Sequence, residues 1–362
     1  MDIQLGKMRR WIILELLILL TVLFEKGTSA PQERMEEGRI LQGEVTTVYN
    51  FPFLCTYRFY PAKGEPIVLG SCTIYSKDRV VIAVDTVDRL INQTEQFWFQ
   101  KVSQISVIAG SDILDPPDPT GEHFVQLRKV AHFYVGMVEN FKKPQHIVQD
   151  PNAFPTTFER NALGELACDI GVFVLDKPWD FNPLVLPMPL PTVNYDDLNK
   201  QVADWIGNLN KSPLIFDACS IGGWGPIGNN DIMVLDLVYI GWDECWESIC
   251  AHHPSTCLEY PVFGDKQRRH HHICLKSRDY GDVCVYDQGS PLYCPWFGKG
   301  VFAILTRSFD CGLENMPAIY TVISYVAQFN KFVGTDQKGA IEARPDYNDP
   351  KYILNPKDKP PP

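Results

Sequence analysis

Short apolar or alternating runs, broken by Gly, Pro and Asp turns, set the pattern of this chain. Residues 105–109, 170–175, 232–238 and 301–306 each predict a strand of four to eight residues bounded by turn formers. Helical spacing of apolar positions recurs with conviction at one place, Tyr320 to Val333. No internal repeat is evident. The pattern therefore predicts a strand-rich chain closed by one helix.

The N-terminus reads differently. Lys7, Arg9 and Arg10 precede an apolar run from Trp11 to Phe24, and small residues follow from Gly27 to Ala30. This order of charge, apolar core and small residues predicts a secretory signal over residues 1–29, with Pro31 disfavouring a cut directly after Ala30. The run is short for a membrane span, so a membrane anchor is the runner-up, and no later segment is apolar enough to cross. The net charge is −11, and it becomes −12 without residues 1–29. That balance predicts a soluble secreted protein that binds neither nucleic acid nor an anionic membrane by charge. Eleven cysteines fit an oxidising compartment, and Asn92-Gln-Thr and Asn210-Lys-Ser are sequons permissive for glycans.

Residues 281–294 carry the most chemistry: GDVCVYDQGSPLYC. Other stretches fall in order around them: RILQG at 39–43, FPFL at 51–54, GSCTIYSKDRVVIAVDT at 70–86, CDIGVFVL at 168–175, CSIGGWG at 219–225 and PAIYTVISYVAQFNKFV at 317–333. Together they resemble the landmarks of the trypsin-like serine proteases over about 290 residues. The resemblance implies an all-β fold, two six-stranded Greek-key barrels with a C-terminal helix and the old active-site cleft between them. It divides the chain into a signal (1–29), a short propeptide (30–39), a protease homology domain (40–333) and a Pro- and charge-rich tail (334–362) that lies on the domain or docks on a partner.

Carried over residue by residue, the resemblance puts Asp85 at the histidine of the triad, Asp169 at its aspartate and Gln288 at its serine. A primary amide is a very poor nucleophile, and no neighbouring base turns it into an alkoxide. Asp85 lacks the neutral ring that accepts a proton near pH 7. Tyr286 stands at the oxyanion-binding glycine. The resemblance thus implies a pseudoenzyme with no cofactor and no metal. Asp282 falls on the floor of the specificity pocket, where a carboxylate pairs with a basic side chain. Ser308 and Ala318 replace pocket-wall glycines and Arg307 replaces a tryptophan, which narrows the slot. Arg39, Ile40 and Asp287 resemble an activation switch, in which cutting after Arg39 frees Ile40 to dock on Asp287. Gln42 stands at the hinge glycine.

The same resemblance pairs Cys219 with Cys294 and Cys284 with Cys311, and brings Cys274 back to Cys245, Cys250 or Cys257. The usual bridge beside the histidine is missing at both ends, with Gly70 and Thr86 in its two slots; Cys55 and Cys72, on what the resemblance makes neighbouring antiparallel strands, offer a substitute. Cys168 is then left over, inert or joined to a second chain. Asp85 beside Asp169 offers only two ligands to a cation. The histidines at 252, 253 and 270–272, in an enlarged loop over residues 241–272, read as an exposed basic loop rather than a metal site. The expected role is protein binding, with an extracellular protease or zymogen as partner; the alternatives are a structural component of an extracellular layer and an active serine endopeptidase.

Overall fold

The computed structural model describes residues 40, 42–61, 63, 65–84, 86, 102–114, 124–135, 145–146, 170–211, 219–224, 231–254, 257, 272–278, 281–298, 300–309, 316–333 and 345–353. Seven strands build the first sheet: β1 (Glu44–Val45) belongs elsewhere, and β2 (Leu54–Phe59), β3 (Ile67–Ser76), β4 (Arg79–Ala83), β5 (Ile105–Ala109), β6 (Gln126–Val135), β7 (Gln145–His146) and β8 (Ile170–Leu175) pair antiparallel in the order β5-β2-β3-β4-β8-β6-β7. Because β5 also pairs with β6, six of these strands close into a barrel and β7 hangs on its edge. Closure removes the open edges that a free sheet exposes to aggregation.

Beyond the first barrel, helix α1 (Tyr195–Lys211) leads towards the second sheet. That sheet comprises β9 (Cys219–Trp224), β10 (Ile232–Ile240), β11 (His272–Ser277), β12 (Pro291–Cys294), β13 (Gly300–Arg307) and β14 (Ala318–Val322). The order β10-β11-β14-β13-β12-β9 closes through β10–β9 into a second six-stranded barrel, and β1 adds a seventh strand on β10. Helix α2 (Trp242–His252) follows β10, and α3 (Ile323–Phe332) ends the domain.

Aromatic and branched side chains fill both barrels. Tyr57 and Phe133 meet the edge of Phe173 in the first, at ring separations of 5.5 and 4.9 Å. In the second, Phe297 and Phe302 meet at 4.8 Å, and Trp296 couples them to Trp205 of α1 at 4.9 Å. Edge-to-face geometry of this kind adds about 0.5–1.5 kcal/mol per pair beyond area burial.

The strands predicted at 105–109 and 170–175 are β5 and β8, and those at 232–238 and 301–306 are the bodies of β10 and β13. Three expectations about helices need correction. The helix expected from Tyr320 begins at Ile323, because residues 320–322 complete β14 and pair with β11 and β13. The enlarged loop at 241–272 starts as α2, whose Trp242, Cys245 and Ile249 share a buried face. Helix α1 was not anticipated at all. Its start is capped by Asn194, whose side-chain oxygen accepts the N–H groups of Asp196 and Asp197, and Leu198, Val202 and Leu209 face inward. The Asn-Tyr-Asp-Asp opening was the available signal for it.

Cys55 and Cys72 lie directly opposite in the β2–β3 register and are bridged, so the substitute disulfide is formed. Cys219–Cys294 forms as the resemblance implies, and Cys274 takes Cys245 of its three choices, leaving Cys250 to Cys257. Cys284 is also disulfide-bonded; Cys311 and Cys168 lie outside the described residues. The Cys55–Cys72 bridge closes a short loop, with a sequence separation of 17. Replacing both cysteines by Ala is expected to lower stability by about 3 kcal/mol, read as a shift of the denaturant midpoint at unchanged slope.

Candidate functional site

Residues 281–290 form a tight turn before β12. A 3-10 turn, Val285–Asp287, brings the Asp287 N–H onto the Cys284 carbonyl at 3.0 Å, while the Asp287 carboxylate accepts the Cys284 N–H at 2.9 Å. Gly289 follows with φ 97°, a conformation open to glycine. The turn is then fastened from both sides. Gly289 N–H donates to Leu305 and Leu305 N–H to Ser290, on the second barrel. From β3 of the first barrel, Thr73 Oγ1 donates to the Gly289 carbonyl at 2.7 Å and Ser71 Oγ to the Tyr286 carbonyl at 3.1 Å.

At the head of this turn stands Gln288, fully buried. Its amide oxygen accepts the Thr86 hydroxyl at 2.9 Å, and its amide nitrogen donates to Ser308 Oγ at 3.4 Å. Thr86 follows β4 of the first barrel and Ser308 follows β13 of the second, so one neutral side chain spans the gap between the barrels. All three groups are buried and none ionises near neutral pH. Such a site orders the protein, but an amide engaged at both ends supplies neither a nucleophile nor a general base.

Asp282, Ala318 and Tyr320 are buried as well. Burial first, then the charges of Asp282 and Asp287, push the Tyr320 phenol well above its ordinary pKa, so the hydroxyl keeps its proton throughout the physiological range. Arg307, also buried, sits beside Ser308 in sequence at the end of β13.

Ile40 is fully buried too. Gly223 shows how it is held: a Cβ built there would stand 2.4 Å from Asp287 Oδ1 and 3.1 Å from Ile40 Cδ1, so the glycine seats both side chains against one strand. Gln42 takes φ 54° where the family has its hinge glycine, a left-handed conformation that costs an ordinary residue about 1 kcal/mol.

The structure brings Gln288 against Ser308, seats Asp287 and Ile40 against Gly223, and places Asp282 and Asp287 within electrostatic reach of Tyr320, while Ala318 is buried on β14. Asp85, Asp169, Arg39 and Asn92 lie outside the described residues. Asn210 is exposed in the last turn of α1, and its side-chain oxygen accepts the Tyr239 hydroxyl at 2.5 Å. Of the clustered histidines, His252 is exposed with Nδ1 2.9 Å from the Ser248 carbonyl, and 270 and 271 are not described. Sequence reasoning missed the parts played by Thr86, Ser71, Thr73 and Tyr320. Thr86, Ser71 and Thr73 meet partners more than 200 positions away, and Tyr320 meets Asp282 and Asp287 only through the closure of the second barrel, so no local signal marks any of them.

Two closed six-stranded antiparallel barrels with a terminal helix leave one architecture. This is the fold of the trypsin-like serine proteases. A solved structure of mouse neuropsin, a serine protease, matches it with a TM-score of 0.50 at 17% identity, covering 81% of this chain and 98% of that one. In sequence the chain is similar to the clotting factor G beta subunit of Tachypleus tridentatus, 27% identical over 165 residues (43% of this chain, 47% of that protein). It is also similar to kallikrein 1-related peptidase b22 of Mus musculus, 26% identical over 159 residues (43% and 50%). A third relative, the venom serine protease catroxase-1 of Crotalus atrox, is 25% identical over 157 residues (43% and 50%). The chain thus spans about half the length of each relative it matches, and no protein-family model matches it. It is a homologue of the trypsin-like serine proteases. Among the described residues no helix is long and apolar enough to cross a membrane.

Proposed function

We propose that this trypsin-like homologue is secreted, has no peptidase activity, and works by binding an extracellular protein, a protease or its zymogen. The observation that carries the reading is the amide of Gln288. At the turn where the homologous enzymes present a nucleophile, this chain presents a group that cannot become one, and it is already bonded to Thr86 and Ser308. Loss of the serine or the histidine of a catalytic triad lowers turnover by about 10⁶ in a comparable enzyme, so no measurable activity is expected to survive. The disulfides support an oxidising compartment. Similarity to a clotting factor subunit supports a setting among extracellular proteases, where an inert homologue acts as cofactor, decoy or regulator. Cutting after Arg39 then tunes the binding surface by freeing the Ile40 ammonium beside Asp287.

The expected result is that a fluorophosphonate probe labels neither the intact protein nor the protein cut after Arg39, and that neither form hydrolyses peptide substrates. Stoichiometric labelling of any serine would overturn the pseudoenzyme reading. In capture from the native extracellular fluid, the cut form is expected to enrich a protease or zymogen selectively over the intact form. Enrichment of matrix proteins alone, equal for both forms, would move the role to a structural one.

A further inference from the structure

The tail beyond α3 makes a contact that neither the fold nor the proposed binding role accounts for. Residues 345–353 return to the domain, where the Tyr347 hydroxyl donates to the Pro187 carbonyl at 2.7 Å. The tail is locally ordered around that point: Asp349 caps a 3-10 turn, Pro350–Tyr352, by accepting the Lys351 N–H, and the Lys351 ammonium lies 3.1 Å from the Asp349 carboxylate.

Pro187 sits in the linker between the barrels, and its neighbours are bonded to both of them. Leu186 N–H donates to Pro52 and Met188 N–H to Ile74, both of the first barrel, at 2.9 and 2.8 Å; the Pro189 carbonyl accepts Val301 N–H of the second at 2.9 Å. The Pro187 carbonyl, facing neither barrel's ladder, is the atom that the tail takes. The contact continues inward by bonds already described. Ile74, the partner of Met188, is the next residue after Thr73, whose hydroxyl holds the Gly289 carbonyl behind Gln288.

We propose that residues 345–353 are a strap on the inter-barrel linker, through which engagement of the tail by a partner is transmitted along β3 to the Gln288 turn. Ile353, in the same segment, is 48% exposed, an apolar handle for such a partner. Coupling between distant sites needs a demonstrated change at both ends, not proximity, and the test is built on that.

Amide hydrogen exchange of the full-length secreted protein is compared with that of Tyr347→Phe, which removes one hydroxyl and keeps the ring. A single neutral hydrogen bond changes an opening equilibrium by about two- to tenfold. The Leu186 and Met188 amides are expected to exchange about three- to tenfold faster in the variant, and Gly289 and Leu305 at least twofold faster. Lys351→Ala, which breaks the surface pair in the same tail, is expected to leave all four at wild-type rates. Unchanged linker amides in Tyr347→Phe overturn the strap. Faster linker exchange with Gly289 and Leu305 unchanged overturns its connection to the site. A uniform rise across both barrels also overturns it, because that result reports global stability rather than a local tie.

Discussion

Gly289→Ala is expected to lower stability by about 4 kcal/mol, most of the margin of a protein at the low end of the ordinary range of about 5–15 kcal/mol. The reason is local and steric. Gly289 has φ 97°, where an L side chain costs about 1–2 kcal/mol. Its added Cβ would stand 2.1 Å from the Ser71 carbonyl oxygen and 2.9 Å from the Ser71 carbonyl carbon. These are backbone atoms of β3, held by β2 on one side and β4 on the other, so they cannot swing away as a flexible side chain could. Pushing the turn back instead stretches the Thr73 bond to the Gly289 carbonyl and the Gly289 bond to Leu305, each worth about 1 kcal/mol. Gly207→Ala makes the control. That glycine lies inside α1 with nothing within 4 Å of an added Cβ, so the variant is expected to gain about 0.5–1 kcal/mol from helix propensity. Chemical denaturation of both variants measures the contrast, and a loss below about 1 kcal/mol for Gly289→Ala would mean the turn is not wedged against β3.

Gln288→Glu is expected to make stability strongly dependent on pH. The side chain keeps its shape, and as a neutral acid it still accepts from Thr86 and still meets Ser308. Ionised, it would be a fully buried carboxylate beside the buried Asp287. Desolvation first, and the like charge second, raise its folded-state pKa above the unfolded value of about 4.3. The folded state then holds its proton more tightly than the unfolded one. Stability near that of wild type is therefore present below about pH 4 and is lost as pH rises, by about 1.4 kcal/mol per unit until the folded pKa is passed. At pH 7.4 the expected loss is about 3 kcal/mol or more. Melting temperatures of both proteins across pH 4 to 8 measure it: the curves should separate steadily with rising pH. Parallel curves would show that the carboxylate finds water or a cation, and that the Thr86–Gln288–Ser308 bridge is less closed than its burial indicates.

The Thr86–Gln288–Ser308 bridge also shows where the sequence stops being informative. Gln288 was identifiable because it interrupts a motif of fixed order, and its chemistry follows from residue type. What the amide does instead was not legible. Thr86 stood out only as half of a missing disulfide, and Ser308 only as a glycine replaced. Their meeting on one side chain depends on how β4 and β13 end on opposite barrels. Helix α1 was missed for a related reason. Its buried Leu198, Val202 and Leu209 are widely spaced among polar residues, so the apolar face is too sparse to dominate a periodicity count, although its Asn194 cap was in view.

By itself the sequence determined that the chain is rich in strands and that residue 288 carries an amide. Both follow from residue type and short-range spacing, which are properties of the chain before it folds. The trypsin-like order, the expected Cys55–Cys72 bridge and the place given to Gln288 came from resemblance to a family. Only the tertiary structure decided that Cys274 takes Cys245, that Ile40 and Asp287 share the seat made by Gly223, that Gln288 is bonded across the cleft, and that the tail closes on Pro187. Each of these depends on contacts between segments distant in sequence, and their geometry is set when two barrels close and pack, not by any one segment.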